Sequence, residues 1–458
     1  MKIRQVFPAK FYFSKLKLAI LKLFDLKCKE IWYNFYAEDE VRLTPFEDDK
    51  LKVCKFINLR HTEFDSRVLL GGDELKLNIP EYVKKVVNTL NKNGFEAFVV
   101  GGAVRDAMLG QNPDDWDVTT NAPAERTKEC FDRHFDTGIK HGTITVLMDK
   151  KPVEVTTYRI DGEYKDNRRP ETVAFTTDIK EDLKRRDFTI NAMAYNDEVG
   201  LVDLYGGADD LKNKIIRCVG DADTRFGEDA LRIMRAIRFA ARLGFEIEEK
   251  TFCSIVKNRF LLENISVERI QSELVKMLET SDNLQLLFKS GVAEIIIPEV
   301  DYKNITLNTP SDREIKLSAL LYNVDDGRNF FNRLKFDNNT KHNVLKIIEC
   351  TRDNMGTTDY EIKKMLNKYG EVLFAKALTV NECYGCDVSL QKEILNRVKS
   401  EPYSLKQLDV TGNDIMDLGI KGAEIGSVMN SLLDEVMKNP DFNVKEKLLD
   451  IAKSHNMC

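Results

Sequence analysis

Two aspartates one residue apart, Asp115 and Asp117, follow closely on a Gly101-Gly102 pair. Together they could hold a cation and a phosphate. Adjacent carboxylates repel unless one is protonated or a cation neutralises both. Hard oxygen ligands beside a phosphate cradle favour Mg²⁺. Two such ions, about 3.5–4 Å apart, can grip the attacking and leaving oxygens of a phosphoryl displacement. The glycines let backbone N–H groups approach an anion closely. A helix start after them adds its positive end, and Arg105 can add a cation. Taken singly, Gly-Gly is a turn and Asp-x-Asp an acidic surface loop. Joined in one strand–turn–helix–strand unit, they point to nucleotide chemistry.

The elements that must position these groups are legible nearby. Phe95 to Val100 reads as a buried strand, and Ala103 to Leu109 as a helix. A strand through Asp115-Trp116-Asp117-Val118-Thr119 puts both carboxylates on one face and Trp116 and Val118 on the other. Pro80 starts a helix whose stripe is Val83, Val86, Val87 and Leu90, and Gly94 ends it. Residues 142–148 and 152–158 form a hairpin around Asp149-Lys150-Lys151. Its second strand carries Glu154, a third carboxylate at the metal if that strand lies beside Asp117, and otherwise an exposed strand acid. Arg159 to Pro170 is charged and aperiodic, a mobile loop placed to act as a lid or lever. A further strand is expected at 172–176. Arg185 and Arg186 could meet a triphosphate and Asp187 and Asn191 a ribose; the plainer alternative is an ion-pair cluster ahead of a core strand. From about residue 208 helical patterns run to the end, with weak breaks at 304–311, 353–358 and 400–404.

Glu228 to Arg238 is the second informative stretch. Read as one helix, it aligns Asp229, Arg232 and Arg235, with Arg238 one turn on, beside an apolar stripe of Leu231, Met234 and Ile237. Ion pairing on a solvated face would explain this plainly. Three arginines, however, exceed what one aspartate offsets, which invites an anion. An Asp and an Arg held together can also present a pairing edge: the carboxylate accepts from an exocyclic amine while the guanidinium donates to a ring nitrogen or carbonyl. Cytosine and adenine match that edge; uracil and guanine do not.

With 458 residues the chain is long enough for two to four domains, and 43% hydrophobic with 31% charged residues marks a soluble globular class. Nine scattered cysteines fit a reducing cytoplasm rather than a disulfide framework, and the lone Cys383–Cys386 spacing lacks the partner ligands of a zinc site. A net charge of −6 leaves any nucleic-acid contact to a local basic surface. Lys17, Lys22 and Asp25 interrupt the apolar run of Lys15 to Leu26, which argues against a signal peptide or membrane span and for an amphipathic helix.

These motifs, in order, resemble the class II CCA-adding enzymes (tRNA nucleotidyltransferases), relatives of bacterial poly(A) polymerases in the DNA polymerase beta superfamily. The resemblance spans Ile79 to Glu279. It includes Gly101 to Asp106, Asp115-Trp116-Asp117, Asp136 to Thr143, Glu154 to Arg159, Arg185 to Ala192, Asp203 to Gly207 and Glu228 to Arg232. A weaker likeness covers Thr411 to Asn443. It implies an α+β fold: a small mixed β-sheet nucleotidyltransferase head at 79–207, then an all-helical neck at 208–280, body at 281–400 and tail at 401–458. Residues 1–78 have no counterpart in the pattern and form an extension of unassigned role.

The resemblance also implies roles. Asp115 and Asp117 would bind two Mg²⁺, with Glu154 the third carboxylate. Gly102 and Arg105 would sit at the nucleotide; Arg186, Asp229 and Arg232 would read the base; Asp187 and Asn191 would face the sugar; Arg235 and Arg238 would take phosphate charge. Substrates would be CTP, ATP and tRNA, held at its 3′ end and its elbow, with no membrane partner. The loop from Arg159 to Pro170 would help switch from C to A addition. Addition of A alone, or of longer A tails, uses the same motifs, and a noncatalytic RNA-binding or nucleotide-sensing module is the remaining alternative. None of the five histidines precedes an aspartate, so an added His-Asp phosphohydrolase activity is not expected.

Overall fold

The computed structural model describes residues 32–35, 41–44, 75–162, 164–165, 169–170, 173–281, 283–300 and 309–455. The chain divides into two compact units, Met1–Arg67 and Val68–Cys458. In the first, strands β1 (Trp32–Phe35) and β2 (Val41–Thr44) pair antiparallel. The amphipathic helix expected at Lys15 to Leu26 lies outside the described residues.

The second unit opens with the helix Glu81–Lys92, which buries Val83, Val86, Val87 and Leu90 as the spacing predicts. Burying each such side chain contributes about 1.5–3 kcal/mol. Leu77 and Ile79, just ahead of it, join the same core. The strands of this region are β3 (Ala97–Val100), β4 (Asp117–Thr120), β5 (His134–Gly138), β6 (Thr143–Met148), β7 (Lys151–Thr157), β8 (Arg159–Asp161), β9 (Tyr164–Lys165), β10 (Arg169–Pro170), β11 (Val173–Phe175), β12 (Met193–Asn196) and β13 (Gly200–Asp203). Seven of them form one mixed sheet in the order β13-β12-β3-β4-β7-β6-β5. Only β4 and β7 run parallel; the other neighbours are antiparallel.

One face of this sheet is apolar. Val99, Val118, Ile144, Val146, Val153 and Val155 pack with the Glu81–Lys92 stripe into the main core. On the opposite face, Phe98, Val100, Ala194 and Val202 are covered by Tyr158 and by Leu183 of the helix Ile179–Lys184.

Two expectations about strands change. The strand containing the acids begins at Asp117, so Asp115 lies in the segment leading into it. The stretch Arg159 to Pro170, read as a mobile loop, is organised by pairing: β8 pairs antiparallel with β11, and β9 with β10. Its charged sequence suits a two-stranded arm with few apolar positions to bury. The arm is seated on the sheet where Phe175 lies over Gly142, at which a Cβ would stand 2.5 Å from the ring. Gly142 has φ +76°, which favours glycine there independently.

Beyond the sheet the described residues are mainly helical, with a two-residue parallel pairing of β14 (Ile215–Ile216) and β15 (Glu246–Ile247). The helix Leu231–Leu243 packs against Val267–Thr280. Two further cores follow, one around Ile347, Leu366, Phe374 and Ile394, the other around Leu432, Val436 and Leu448. Buried Lys363 joins them: it pairs with Glu401 and donates to the Met437 carbonyl. Thr411 and Asp414, in the weaker motif, form a capping box that starts the helix Gly412–Met416.

Candidate active site

Two chain reversals create a cleft of about 440 Å³ between the sheet and the Leu231–Leu243 helix. At the first, β3 ends and Gly101 takes φ +78° and ψ −134°. A side chain is disfavoured there by the backbone and by Arg186, whose Nη1 would be 3.0 Å from a Cβ. The strained position is thus Gly101, while Gly102 begins the helix Gly102–Met108 and lines the cleft beside it.

Arg105 is turned inward. Its Nε donates to Asp106 Oδ1 at 2.8 Å, and its Nη1 donates to Asn191 Oδ1. Burial holds its pKa below the usual value against the opposing pull of Asp106. It is therefore a braced element of the wall rather than a free cation.

At the second reversal, Arg185 and Arg186 both bind the fully buried Asp182, at 2.8 and 3.2 Å. Burial would raise the Asp182 carboxyl, but Arg186 and then Arg185 carry it below its ordinary range. Asp187 is more strongly held. Its Oδ2 accepts from Arg235 Nε at 2.8 Å and Nη2 at 2.6 Å; its Oδ1 accepts from the Phe188 N–H and from Asn191 Nδ2. Burial pushes this carboxyl up, yet Arg235 and Asn191 bring it down to about 2. Asp187 and Asn191 line the cleft, but their polar groups are engaged with Arg235 and Arg105.

The depressed pKa makes a prediction. A carboxyl with a lower pKa when folded contributes stability above its unfolded value near 4 and loses it as pH falls toward 2. The Asp187 contribution, about 2 kcal/mol, should disappear over that window. Denaturation followed from pH 5 to pH 2 should show a shallower loss in Asp187→Asn than in the natural chain.

The helix expected from Glu228 to Arg238 is broken. One helix ends at Glu228 and the next begins at Leu231. Asp229 sits between them with φ −138° and ψ 100°. Its Oδ1 accepts from the Leu231 N–H at 3.1 Å, and its Oδ2 pairs with Arg269 at 2.8 Å. An aspartate at a helix entry gains from this local bond what it would lose inside a helix. Asp229 is therefore not on the helix that carries Arg232, and it does not line the cleft. Arg232 lines it with other partners: Nη1 bonds Glu228 Oε2 at 2.6 Å and Nη2 the Arg185 carbonyl at 2.9 Å.

Arg235 and Arg238 complete the helical wall, Arg238 through a buried pair with Glu273 at 2.6 Å. Two residues escaped the sequence reading. Phe239 lies beneath three guanidiniums, with Arg238, Arg105 and Arg235 carbons 4.2, 5.0 and 5.3 Å from its centroid. Arg242 extends the stripe and reaches Asp106 at 3.4 Å. Its spacing four residues after Arg238 was the available signal; nothing local distinguished Phe239 from a core aromatic. Seven arginines line the cleft against only Asp117 and Asp187, so its surface suits a polyanion. Asp182, Asp106, Glu228 and Glu273 are not among its lining residues; they orient the guanidiniums from behind. A larger cleft of about 680 Å³, lined by residues from within 217–257, holds Arg217 paired with Asp210 and Glu248, and Lys257 paired with Asp223, so most of its cationic groups already have acidic partners.

The acids stand at the cleft's edge. Asp117 and Glu154 are direct partners on the parallel strands β4 and β7. Burial, the Glu154 charge and the Asp115 charge raise the Asp117 carboxyl, against the pull of Arg186. Carboxylates that destabilise each other in this way are relieved by a divalent cation. Among the described residues no three potential ligands converge into a cage.

The comparisons with known proteins follow the same lines. The Poly A polymerase head domain matches residues 97–217. The probable RNA and SrmB-binding site of polymerase A matches 244–304, and tRNA nucleotidyltransferase domain 2 matches 309–452. A CCA-adding enzyme of Ligilactobacillus salivarius is 36% identical over 406 residues, covering 82% of this chain and 97% of the relative. One of Enterococcus faecalis is 37% identical over 392 residues, covering 80% and 94%. The crystal structure of the Bacillus stearothermophilus CCA-adding enzyme in complex with CTP superposes with a TM-score of 0.72 at 29% identity, covering 82% of this chain and 97% of that one. The Thermotoga maritima CCA-adding enzyme complexed with tRNA_CCA shares the fold, with a TM-score of 0.59 at 22% identity over 83% of this chain and 97% of that one. Matched in order from head to C-terminal region, and well above 30% identical to relatives it covers almost completely, this chain belongs to the family of CCA-adding enzymes.

Proposed function

We propose that Asp117 and Glu154, with Asp115 just ahead of the strand, form the acidic centre of a two-Mg²⁺ nucleotidyl transfer, and that the arginine-lined cleft seats the incoming nucleotide. The chain adds C, C and A to the tRNA 3′ end from CTP and ATP without a template and releases pyrophosphate. The observation that carries the site assignment is the register of Asp117 against Glu154 at the edge of that cleft. Bound there, Mg²⁺ would lower the pKa of the RNA 3′-hydroxyl and offset triphosphate charge.

The protein's own groups do the rest. The hydroxyl oxygen forms a bond to the α-phosphorus, and the bond to the β-phosphate oxygen breaks. Arg186, Arg235, Arg238 and Arg242 offer donors to the triphosphate, while Gly101 keeps the backbone low enough for close approach. Arg105, Asp187 and Asn191 hold that wall rigid, so little reorganisation accompanies charge migration to the leaving group. Arg232, which lines the cleft, donates to the base edge; Asp229, outside the cleft as it stands, would have to release Arg269 and turn inward to supply the acceptor. We place the reaction in the cytoplasm: the described cysteines are free thiols, and no described helix is long and apolar enough to cross a membrane.

The test is extension of tRNA transcripts ending before CCA, after C and after CC, with Mg²⁺ and each of CTP, ATP, UTP and GTP. All three acceptors should finish as CCA. Extension of only the CC-ended acceptor would show A addition, and long A tails polyadenylation. Arg232→Ala should relax base choice, since a good base-edge contact discriminates by about 1–3 kcal/mol. UTP incorporation relative to CTP should rise roughly tenfold or more; unchanged preference would remove Arg232 from base reading.

A further inference from the structure

The sheet face that carries Asp117 continues beyond the acids. Residues directly opposite on neighbouring strands point to the same face. Asp117 stands opposite Glu154 on β7, Glu154 opposite Thr145 on β6, and Thr145 opposite Phe135 on β5. Four strands therefore set two carboxylates, a hydroxyl and an aromatic ring in one row. The adjacent row, His134, Val146 and Val153, points to the core, where both valines are buried. Phe135 is instead 56% exposed, on the last strand of the sheet. At the usual strand spacing its backbone lies about 10 Å from that of Glu154. A phenylalanine left this open contributes little to the fold.

The nucleotide cleft lies on the other side of Asp117. It is lined by Asp117 but not by Glu154, Thr145 or Phe135. In-line displacement places the attacking oxygen opposite the departing pyrophosphate. The RNA end must then approach over β7, β6 and β5. We propose that Phe135 is the stacking platform for one of the last two bases of the tRNA 3′ end, a positioning residue that aligns the priming hydroxyl with the acids. This rests on the assignment of Asp117 and Glu154 as the acidic centre. A ring suits the task for a chemical reason. The terminal base changes at each step, first whatever precedes CCA, then C, then C again. Stacking accepts any base because every base has a π-face, whereas hydrogen-bond readout would reject some of them.

The test uses the full chain, with transcripts ending before CCA and after CC. Phe135→Ala should raise the KM for tRNA roughly ten- to a hundredfold and leave the KM for CTP within twofold; Phe135→Trp should restore the natural value. With transcripts abasic at the last or the penultimate nucleotide, natural and Phe135→Ala chains should become equal at one of the two positions. A tRNA KM unchanged by Phe135→Ala, or a penalty that persists at both abasic positions, overturns the proposal. Asp117→Ala, assayed alongside, separates the two claims. If that variant stays active, the acid assignment has failed; if it is inactive while Phe135→Ala behaves naturally, only the platform has.

Discussion

Asp117→Ala is expected to reduce nucleotidyl transfer by roughly a thousandfold or more, the equivalent of about 4 kcal/mol of transition-state stabilisation. The geometry explains the size. Asp117 is the acid that belongs both to the arginine cleft and to the carboxylate row, since it lines the former and pairs with Glu154 in the latter. Its loss would remove the one carboxylate common to both, and neither Asp115, in the segment before β4, nor Glu154, on β7, stands in its place. Single-turnover incorporation of CTP into tRNA lacking CCA measures the effect. Binding of tRNA, held by other surfaces, should survive. Stability should change little, because Asp117 is exposed to solvent and the charges of Glu154 and Asp115 disfavour its ionised carboxyl. Asp115→Ala should likewise abolish transfer while leaving tRNA binding largely intact. A variant of Asp117 that kept more than a tenth of natural activity would refute the assignment.

The second large effect is expected at Asp187. Asp187→Ala should cost about 3 kcal/mol of stability, the lower end of the range for breaking a buried ion pair by removing one partner. The lower end applies because Asp187 is nearly buried whereas 35% of the Arg235 side chain remains accessible from the cleft. The damage is architectural as well. Asp187 belongs to the segment leading into β12, and Arg235 to the helix Leu231–Leu243, so this pair pins the helical wall to the sheet. Asn191 would lose a partner at the same time, and with it the brace on Arg105. Nucleotide KM should rise at least tenfold in the variant, while Asp187→Asn, which keeps the shape, should fall between it and the natural chain. Denaturant unfolding and CTP kinetics measure the two effects. A stability change below 1 kcal/mol would mean that Arg235 finds another acid and that the pair does not anchor the wall.

Much of the site could be read before any fold was known, because much of it is local. The Val83 to Leu90 stripe, the glycine turn and the hairpin around Asp149 obey short-range rules of period and backbone freedom, and all three hold. The alternation that put Glu154 opposite to Val153 and Val155 was also sound. Where the reading changed, a longer-range competitor intervened. Asp229 was aligned with Arg232 by helical arithmetic, but Arg269, 40 residues away, and the Leu231 N–H claim its oxygens. The charged stretch after Arg159 pairs β8 with β11, the strand expected at 172–176, and β9 with β10, which no periodicity announced.

Spacing was therefore sufficient to point to nucleotide chemistry: two acids, a glycine turn and a run of arginines close together suit a phosphate and a cation. Which arginine faces the ligand and which is spent on a neighbouring acid was decided only by packing. A guanidinium pairs with whatever carboxylate the fold brings within about 4 Å, and the strength of that pairing depends on how much water the fold removes. The meeting of Asp117 with Glu154, and the row that runs on from them to Phe135, belong to the same class. They are facts of strand order, and strand order is set by the core that six of the seven strands share, with β5 joining the sheet through its pairing with β6.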